Sequence, residues 1–378
     1  MASSDLFSRP NEELEGLDPA SEGGFGDYPL DSVFVRTEQR TVAEVIKRID
    51  GDRYILDPDF QRDFVWSPEK QSKLIESCVM RIPLPVFYVA EAKDGRIIVV
   101  DGLQRLTTFS RFLSNQLRLQ GLVSEETKRG SHALEGKKFS ELPINLQERV
   151  QDTQLTMYIL DAKAPERARL DIFERVNSGE PLTRQQMRNA LYSGAATEWL
   201  RDAAKGEAFR KATGESLNAK TMRDREAINR FCAFALLGWQ TYRTGDMDDF
   251  LASGLLKLGD LTEPARRTLR EQFDHSMLLN RQLFGDHAFR KSLAADDPKA
   301  SRTIMNISLF EICAVTMAKL PTELAPDKQS ALRKAVVAKV QNDEEFIRSI
   351  TYSTNSTGPV HTRFSTMEAL VARAMSNG

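Results

Sequence analysis

The sequence predicts an α+β protein in which an N-terminal α/β domain is followed by an all-α helical domain. Three observations carry that expectation. Two short β-branched runs, VFYVA and RIIVV, flank Asp94-Gly95, a dipeptide that favours a tight hairpin. From Pro165 onward the apolar residues keep almost only helical spacing. The 378 residues allow about two domains at roughly 150 residues each, and 41% hydrophobic with 28% charged residues gives buried cores beneath a charged surface.

Residues 1–32 read as a flexible tail, because scattered apolar residues among Ser, Gly, Pro, Asp and Glu cannot offset the entropy of ordering. Order begins at Val33 to Val35 and runs into a helix capped by Thr41 and closed by Gly51, with Val42, Val45, Ile46 and Ile49 on one face. The stretch YILDPDFQRDFVW is extended around Pro58. Ser67-Pro68-Glu69 supplies a cap, a proline at the first helical position and an early acid, so a second helix opens there and buries Leu74, Ile75, Cys78 and Val79. The prolines of Ile82-Pro83-Leu84-Pro85 end it, and the hairpin follows. Asp101-Gly102 then leads into a helix through Leu106, Phe109 and Leu113. After FSELP, QLTMYIL (154–160) is a further strand. PERARLDIFERV is a helix stopped at Asn177-Ser178-Gly179, and Thr183-x-x-Gln186 is a capping box for the next. These elements divide the chain into a sheet domain over 33–165 and a helical domain over 166–378.

Charge and composition exclude several classes. Lys+Arg total 52 against Asp+Glu 54, a formal net charge of −2, which speaks against a DNA binder built on a bulk basic field. The four histidines and three cysteines are scattered with no C-x-x-C or H-E-x-x-H pairing, so no zinc site is expected. Lone cysteines fit a reducing compartment. MASSDLFSRP lacks an apolar h-region and no stretch approaches a membrane span, so the expected location is cytoplasmic, with no membrane partner.

The segment VVDGLQRLTT holds the most chemistry. A strand that runs through Asp101-Gly102 directly into a helix brings free backbone N–H groups and the positive end of the helix dipole to the strand's carboxyl end, which suits phosphate or carboxylate. Arg105 adds a bidentate donor, and Asp101 holds Mg²⁺ or caps the helix. The plainer alternative makes Asp101 only a cap and Arg105 only a surface cation. Gln61 and Arg62 lie between Phe60, Phe64 and Trp66, whose rings anchor the loop and fix the polar pair in one orientation. Asn177 before Gly179 reads first as a helix stop. Arg223, Arg225 and Arg230, interleaved with Asp224 and Glu226, read as a solvated mixed-charge face or a binding ridge, and YSTNSTGPVHTRF with His361 and Arg363 is equally open.

Four motifs in order, FQRDFVW, SKLIESCVMRIPLPVFYV, VVDGLQRLTT and FERVNSGEPLT, resemble the N-terminal domain of the GmrSD type IV restriction endonucleases across about residues 40 to 195. That resemblance implies a ParB/sulfiredoxin-like fold that binds a nucleoside triphosphate with Mg²⁺ and hydrolyses it, within a prokaryotic anti-phage defence or restriction-type system. It assigns Asp101, Gln104 and Arg105 to catalysis, and Gln61, Arg62, Gly102, Arg105, Thr107 and Asn177 to the nucleotide, with Asp101 on the metal. DNA or a nuclease or defence subunit would be the partner, and a homo-oligomer is compatible with it. Leu103 replaces the first glutamine of the family's D-G-Q-Q-R, which leaves one amide and favours binding over turnover. Leu103 also stands where sulfiredoxins carry their catalytic cysteine, which excludes that chemistry. Many relatives carry an HNH nuclease domain, whose closely placed His and Asn ligands the scattered histidines do not supply. Two other readings stay open: a non-enzymatic DNA-binding or adaptor protein, and a metal-dependent nickase that acts through Asp101.

Overall fold

The structure, a computed structural model, describes residues 14–16, 35–56, 66–92, 94–122, 132–176, 183–192 and 194–376. Gln61, Arg62 and Asn177 lie outside the described residues, as does the expected tail apart from Leu14–Gly16. The chain divides into two compact units, residues 26–191 and residues 1–25 with 192–378.

The first unit runs β1 (Val35–Thr41), α1 (Val42–Asp50), β2 (Tyr54–Ile55), α2 (Pro68–Val79), β3 (Phe87–Glu91), β4 (Ile97–Asp101), α3 (Leu103–Leu113), α4 (Ile144–Gln151), β5 (Gln154–Leu160), α5 (Glu166–Val176) and α6 (Arg184–Leu191). Local chemistry sets the starts. The Thr41 hydroxyl accepts from Glu44 N–H at 3.1 Å and the Ser67 hydroxyl from Lys70 N–H at 3.4 Å, which satisfies a free donor at each helix start. Gly95 takes φ +78 in the turn before β4.

The five strands form one sheet in the order β1-β5-β3-β4-β2. β1 pairs antiparallel with β5, β5 parallel with β3, β3 antiparallel with β4, and β4 parallel with β2. Alternation puts Phe87, Val89, Leu155, Met157 and Ile159 on one face, where they join Val42, Ile75, Leu106 and Phe109 in a single apolar core. β1 and β2 carried no strand signal in the sequence. β1 (VRTEQRT) is an edge strand whose exposed face leaves no apolar alternation to read, and β2 has two residues. α5 and α6 group with this unit, so the division falls at Leu191, where the helical spacing alone put it near 165. α6 packs on β4 and on α5, which ties both helices to the sheet.

The second unit is all helical, as the spacing predicts: α7 (Ala195–Ala204), α8 (Glu207–Thr213), α9 (Arg223–Leu237), α10 (Met247–Gly259), α11 (Glu263–Phe284), α12 (Ile307–Met317), α13 (Pro326–Asn342), α14 (Glu344–Ser349) and α15 (Thr357–Ser376), with 3-10 turns between some of them. Phe231, Phe234, Phe273, Phe310 and Phe364 meet in its core, and every residue of α12 is buried, Glu311 included. Leu14–Gly16, inside the stretch read as a tail, are anchored here. Leu14 enters the core, Glu15 N–H donates to Met305 C=O at 3.0 Å, and Glu15 C=O accepts from Ile307 N–H at 3.0 Å. No helix among the described residues is long and apolar enough to cross a membrane.

Candidate functional site

β4 delivers Asp101 at its last position, opposite Tyr88 of β3. The ladder slips between Tyr88 and Val89, and a bulge of this kind re-aims the end of a strand. Gly102 follows at φ +106 and ψ 5. A Cβ on it would stand 2.3 Å from the Phe87 ring, so both the left-handed backbone and the close approach demand glycine. α3 starts at the next residue with no side-chain cap and no acidic residue in its first turn. Its first N–H groups therefore have no intrahelical acceptor and add to the positive end of the dipole just beyond Asp101.

Arg105 lies one turn into α3, and its side chain turns inward. Its guanidinium donates to the Pro85 carbonyl, to Val86 C=O at 3.0 Å and to Asp101 Oδ2 at 2.9 Å, and sits 4.0 Å from the Phe87 ring centroid. Burial lowers its pKa while Asp101 pulls the other way, and an arginine so placed stays charged at neutral pH. It is a brace between the proline segment, the turn and the carboxylate, which replaces the surface-cation alternative. Asp101 does not cap α3, since Gly102 occupies the cap. The Asp101 side chain keeps 40% exposure, and with Oδ2 held by Arg105, Oδ1 takes no partner among the described residues. Gln104 has its Oε1 buried without a hydrogen-bond partner. Thr107 is half-buried one turn further along α3. The structure thus brings Asp101, Gly102, Gln104, Arg105 and Thr107 together at one strand-to-helix junction. Gln61, Arg62 and Asn177 lie outside the described residues.

A polar cluster that sequence reasoning missed lies on α5 and α6. The capping box is present as expected, with Thr183 N–H donating to Gln186 Oε1 at 2.7 Å and Gln186 N–H to the Thr183 hydroxyl at 3.2 Å. Beyond it, Gln185, Arg188 and Asn189 are buried: Gln185 Nε2 donates to Asn189 Oδ1 at 2.9 Å and Arg188 Nε to Gln185 Oε1 at 3.2 Å. Arg184 pairs with Asp171 at 2.9 Å, and buried Arg169 donates to Glu91 C=O at 3.1 Å. Met187, Ala190 and Leu191 mark one apolar face of this helix, and the same spacing reads Gln185, Arg188 and Asn189 as its solvated side. The signal was the density of amides and guanidinia immediately after a Gly- and Pro-bearing loop.

In the helical unit the mixed-charge reading of α9 is corrected for Arg230. Only 2% of it is exposed, and it donates to Glu311 Oε2 at 3.1 Å and to Asn355 Oδ1 at 3.1 Å. Arg363 is fully buried and pairs with the other oxygen of Glu311, Nε donating at 2.7 Å. Buried Glu311 required cationic partners from other helices, and local spacing cannot see those. Arg223 stays on the surface side and pairs with Glu226 at 2.8 Å. No group of three or more His, Cys, Asp or Glu side chains among the described residues converges to hold a metal ion.

Residues 42–193 match the family model described as the GmrSD restriction endonuclease N-terminal domain. No curated protein matches the chain. The matched stretch spans α1 to the end of α6 and includes the β4–α3 junction and the polar cluster.

Proposed function

We propose, from the membership of residues 42–193 in the GmrSD restriction endonuclease N-terminal domain family, that this chain is a component of a restriction-type or defence system. Its sheet unit, on this reading of ParB/sulfiredoxin-like fold, binds a nucleoside triphosphate at the β4–α3 junction. One observation carries the proposal: an uncapped helix start without acidic residues stands directly beside a half-exposed carboxylate, with Gly102 fixed by Phe87. Phosphate oxygens would be received by the first N–H groups of α3. Arg105, whose placed contacts are all internal, acts as the positioning residue that holds Asp101 and the turn in register.

The residues fit Mg²⁺. That ion ordinarily takes one or two carboxylates and completes its shell with phosphate oxygens and water, and Asp101 Oδ1 is left for such a role. Bound there, Mg²⁺ would neutralise phosphate charge. Asp101 would orient the ion or an attacking water, and buried Gln104 Oε1 would accept a hydrogen bond from ligand or water. Gln61, Arg62, Thr107 and Asn177 would complete the nucleotide pocket, with DNA or a nuclease or defence subunit as the partner. With Leu103 in place of a second amide, binding is the primary claim and hydrolysis the secondary one.

Calorimetry with a panel of nucleoside triphosphates and Mg²⁺, followed by phosphate release, tests the proposal. Wild type binds at least one nucleotide, and Arg105→Ala, checked for folding by circular dichroism, loses affinity about 10-fold or more through misplacement of Asp101. A wild type that binds none of the panel, or a folded Arg105→Ala that binds as well, sinks it.

A further inference from the structure

A cavity of about 630 Å³ opens in the sheet unit between the end of α2, α4 and the paired strands β1 and β5. None of the residues of the β4–α3 junction lines it. Arg81 stands on its wall at φ +57. There it closes α2: Ile82 N–H donates to Ser77 C=O at 2.9 Å and Arg81 N–H to Cys78 C=O at 3.0 Å, the two bonds of a Schellman stop. Glycine or asparagine ordinarily takes that left-handed position, because a Cβ is strained in it. Here the fold sustains the strain and holds a guanidinium on the cavity wall, where it takes no ion pair or hydrogen bond among the described residues. Ile82, which in such a stop usually packs back on the helix, is instead 46% exposed.

The other wall carries the opposite charge. Glu148 and Asp152 line the cavity four residues apart at the end of α4, a like-charge spacing that is unfavourable unless a cation answers it; Arg149, which also lines the cavity, donates to Val79 C=O at 3.2 Å, and neither carboxylate has an ion-pair partner among the described residues. Exposed apolar residues adjoin this polar lining in the chain: Met80, next to Arg81, is 62% exposed and Ile144, next to Asn145 at the start of α4, is 69% exposed. With Ile82, which lines the cavity, they make three of the seven exposed large hydrophobics among the described residues, each on or next in the chain to a lining residue.

We infer that this face is a two-fold interface with a second copy of the chain, in which Arg81 of each copy reaches Glu148 and Asp152 of the other while Met80, Ile82 and Ile144 pack across the axis. Charge complementarity selects this occupant. With Arg149 engaged on Val79 C=O, the charges left unpaired among the described lining residues are Arg81 on one wall and Glu148 with Asp152 on the other, and a two-fold axis sets each against its opposite in the neighbouring copy. A polyanion would meet Glu148 and Asp152, and a uniformly basic partner would meet Arg81. The interface does not depend on nucleotide binding.

Sedimentation equilibrium of the full chain from about 1 to 100 µM, at low and high salt, tests it. Wild type shows a concentration-dependent dimer. Arg81→Glu and Ile144→Asp each weaken the dimer about tenfold or more, and Arg81→Glu combined with Glu148→Arg and Asp152→Arg restores it. Arg81→Gly, which suits the left-handed backbone and so preserves the fold, also weakens association. A wild type that stays monomeric over the whole range overturns the inference. So does a dimer that folded Arg81→Glu and Ile144→Asp leave unchanged, or that the triple reversal fails to restore.

Discussion

The two units bury arginine in opposite ways. In the helical unit Arg230 and Arg363 share Glu311, and the remaining Arg363 donors close on Ser349 C=O at 3.2 Å and Thr354 C=O at 2.7 Å. Both arginines and the glutamate are 2% exposed or less, and apart from Arg230 Nε, which is buried without a partner, this network satisfies its own charges without a ligand. In the sheet unit Arg105 is buried on carbonyls and a ring, but its one ionic partner, Asp101, reaches solvent at 40% exposure beside an uncapped helix start. A closed network fixes a fold. An open one leaves an oxygen and several N–H groups for a ligand to complete, and that difference locates the site better than the count of charged residues does.

The comparison breaks most sharply at Glu311. Glu311→Ala leaves two buried guanidinium groups without their carboxylate, and urea unfolding should lose about 3–5 kcal/mol. A loss near zero would mean the network is not closed in solution. Gly102→Ala comes next. The left-handed backbone and the 2.3 Å approach to Phe87 together put its cost at about 2–4 kcal/mol, and the variant should lose nucleotide affinity as the turn shifts. Retained affinity would detach the phosphate site from this turn.

A smaller effect separates the units by pH. Burial pushes the Cys78 thiol from 9.0 up to about 11, and the Cys313 thiol up to about 12. A group whose pKa rises on folding contributes stability that is full below its unfolded pKa and is lost as pH climbs towards the folded value. The Cys78 contribution is therefore present below pH 9 and fades between about 9 and 11. Urea midpoints measured from pH 8 upward should fall over that window, and Cys78→Ala should flatten the fall. An unchanged slope in Cys78→Ala would assign the alkaline loss elsewhere.

Legibility followed the same contrast. Thr41, Ser67 and the Thr183–Gln186 box marked helix starts because capping is decided within four residues. Asp101-Gly102 was legible as a strand-to-helix junction for the same reason. Arg105 as a brace was not, because its acceptors at Pro85 and Val86 lie 20 and 19 residues away and only the hairpin brings them close. Arg363 and Glu311 are 52 residues apart, so neither carries a local sign of its partner. β1 escaped notice because half its surface faces solvent, and the burial of the polar side of α6 did because a buried polar helix face and a solvated one share the same pattern.

The smallest change in stability should come with a large change in binding, at Asp101. Its pair with Arg105 is partly open to solvent, so Asp101→Asn, which preserves shape and can still accept from Arg105, should cost about 1 kcal/mol or less. The same substitution removes the negative charge that Oδ1 would offer to Mg²⁺. Nucleotide affinity measured with Mg²⁺ should then fall about tenfold, while affinity measured in EDTA changes little or rises as carboxylate–phosphate repulsion is relieved. Equal losses with and without Mg²⁺ would instead place Asp101 with Arg105 as part of the brace, and the sheet unit's network would be as closed as the helical one.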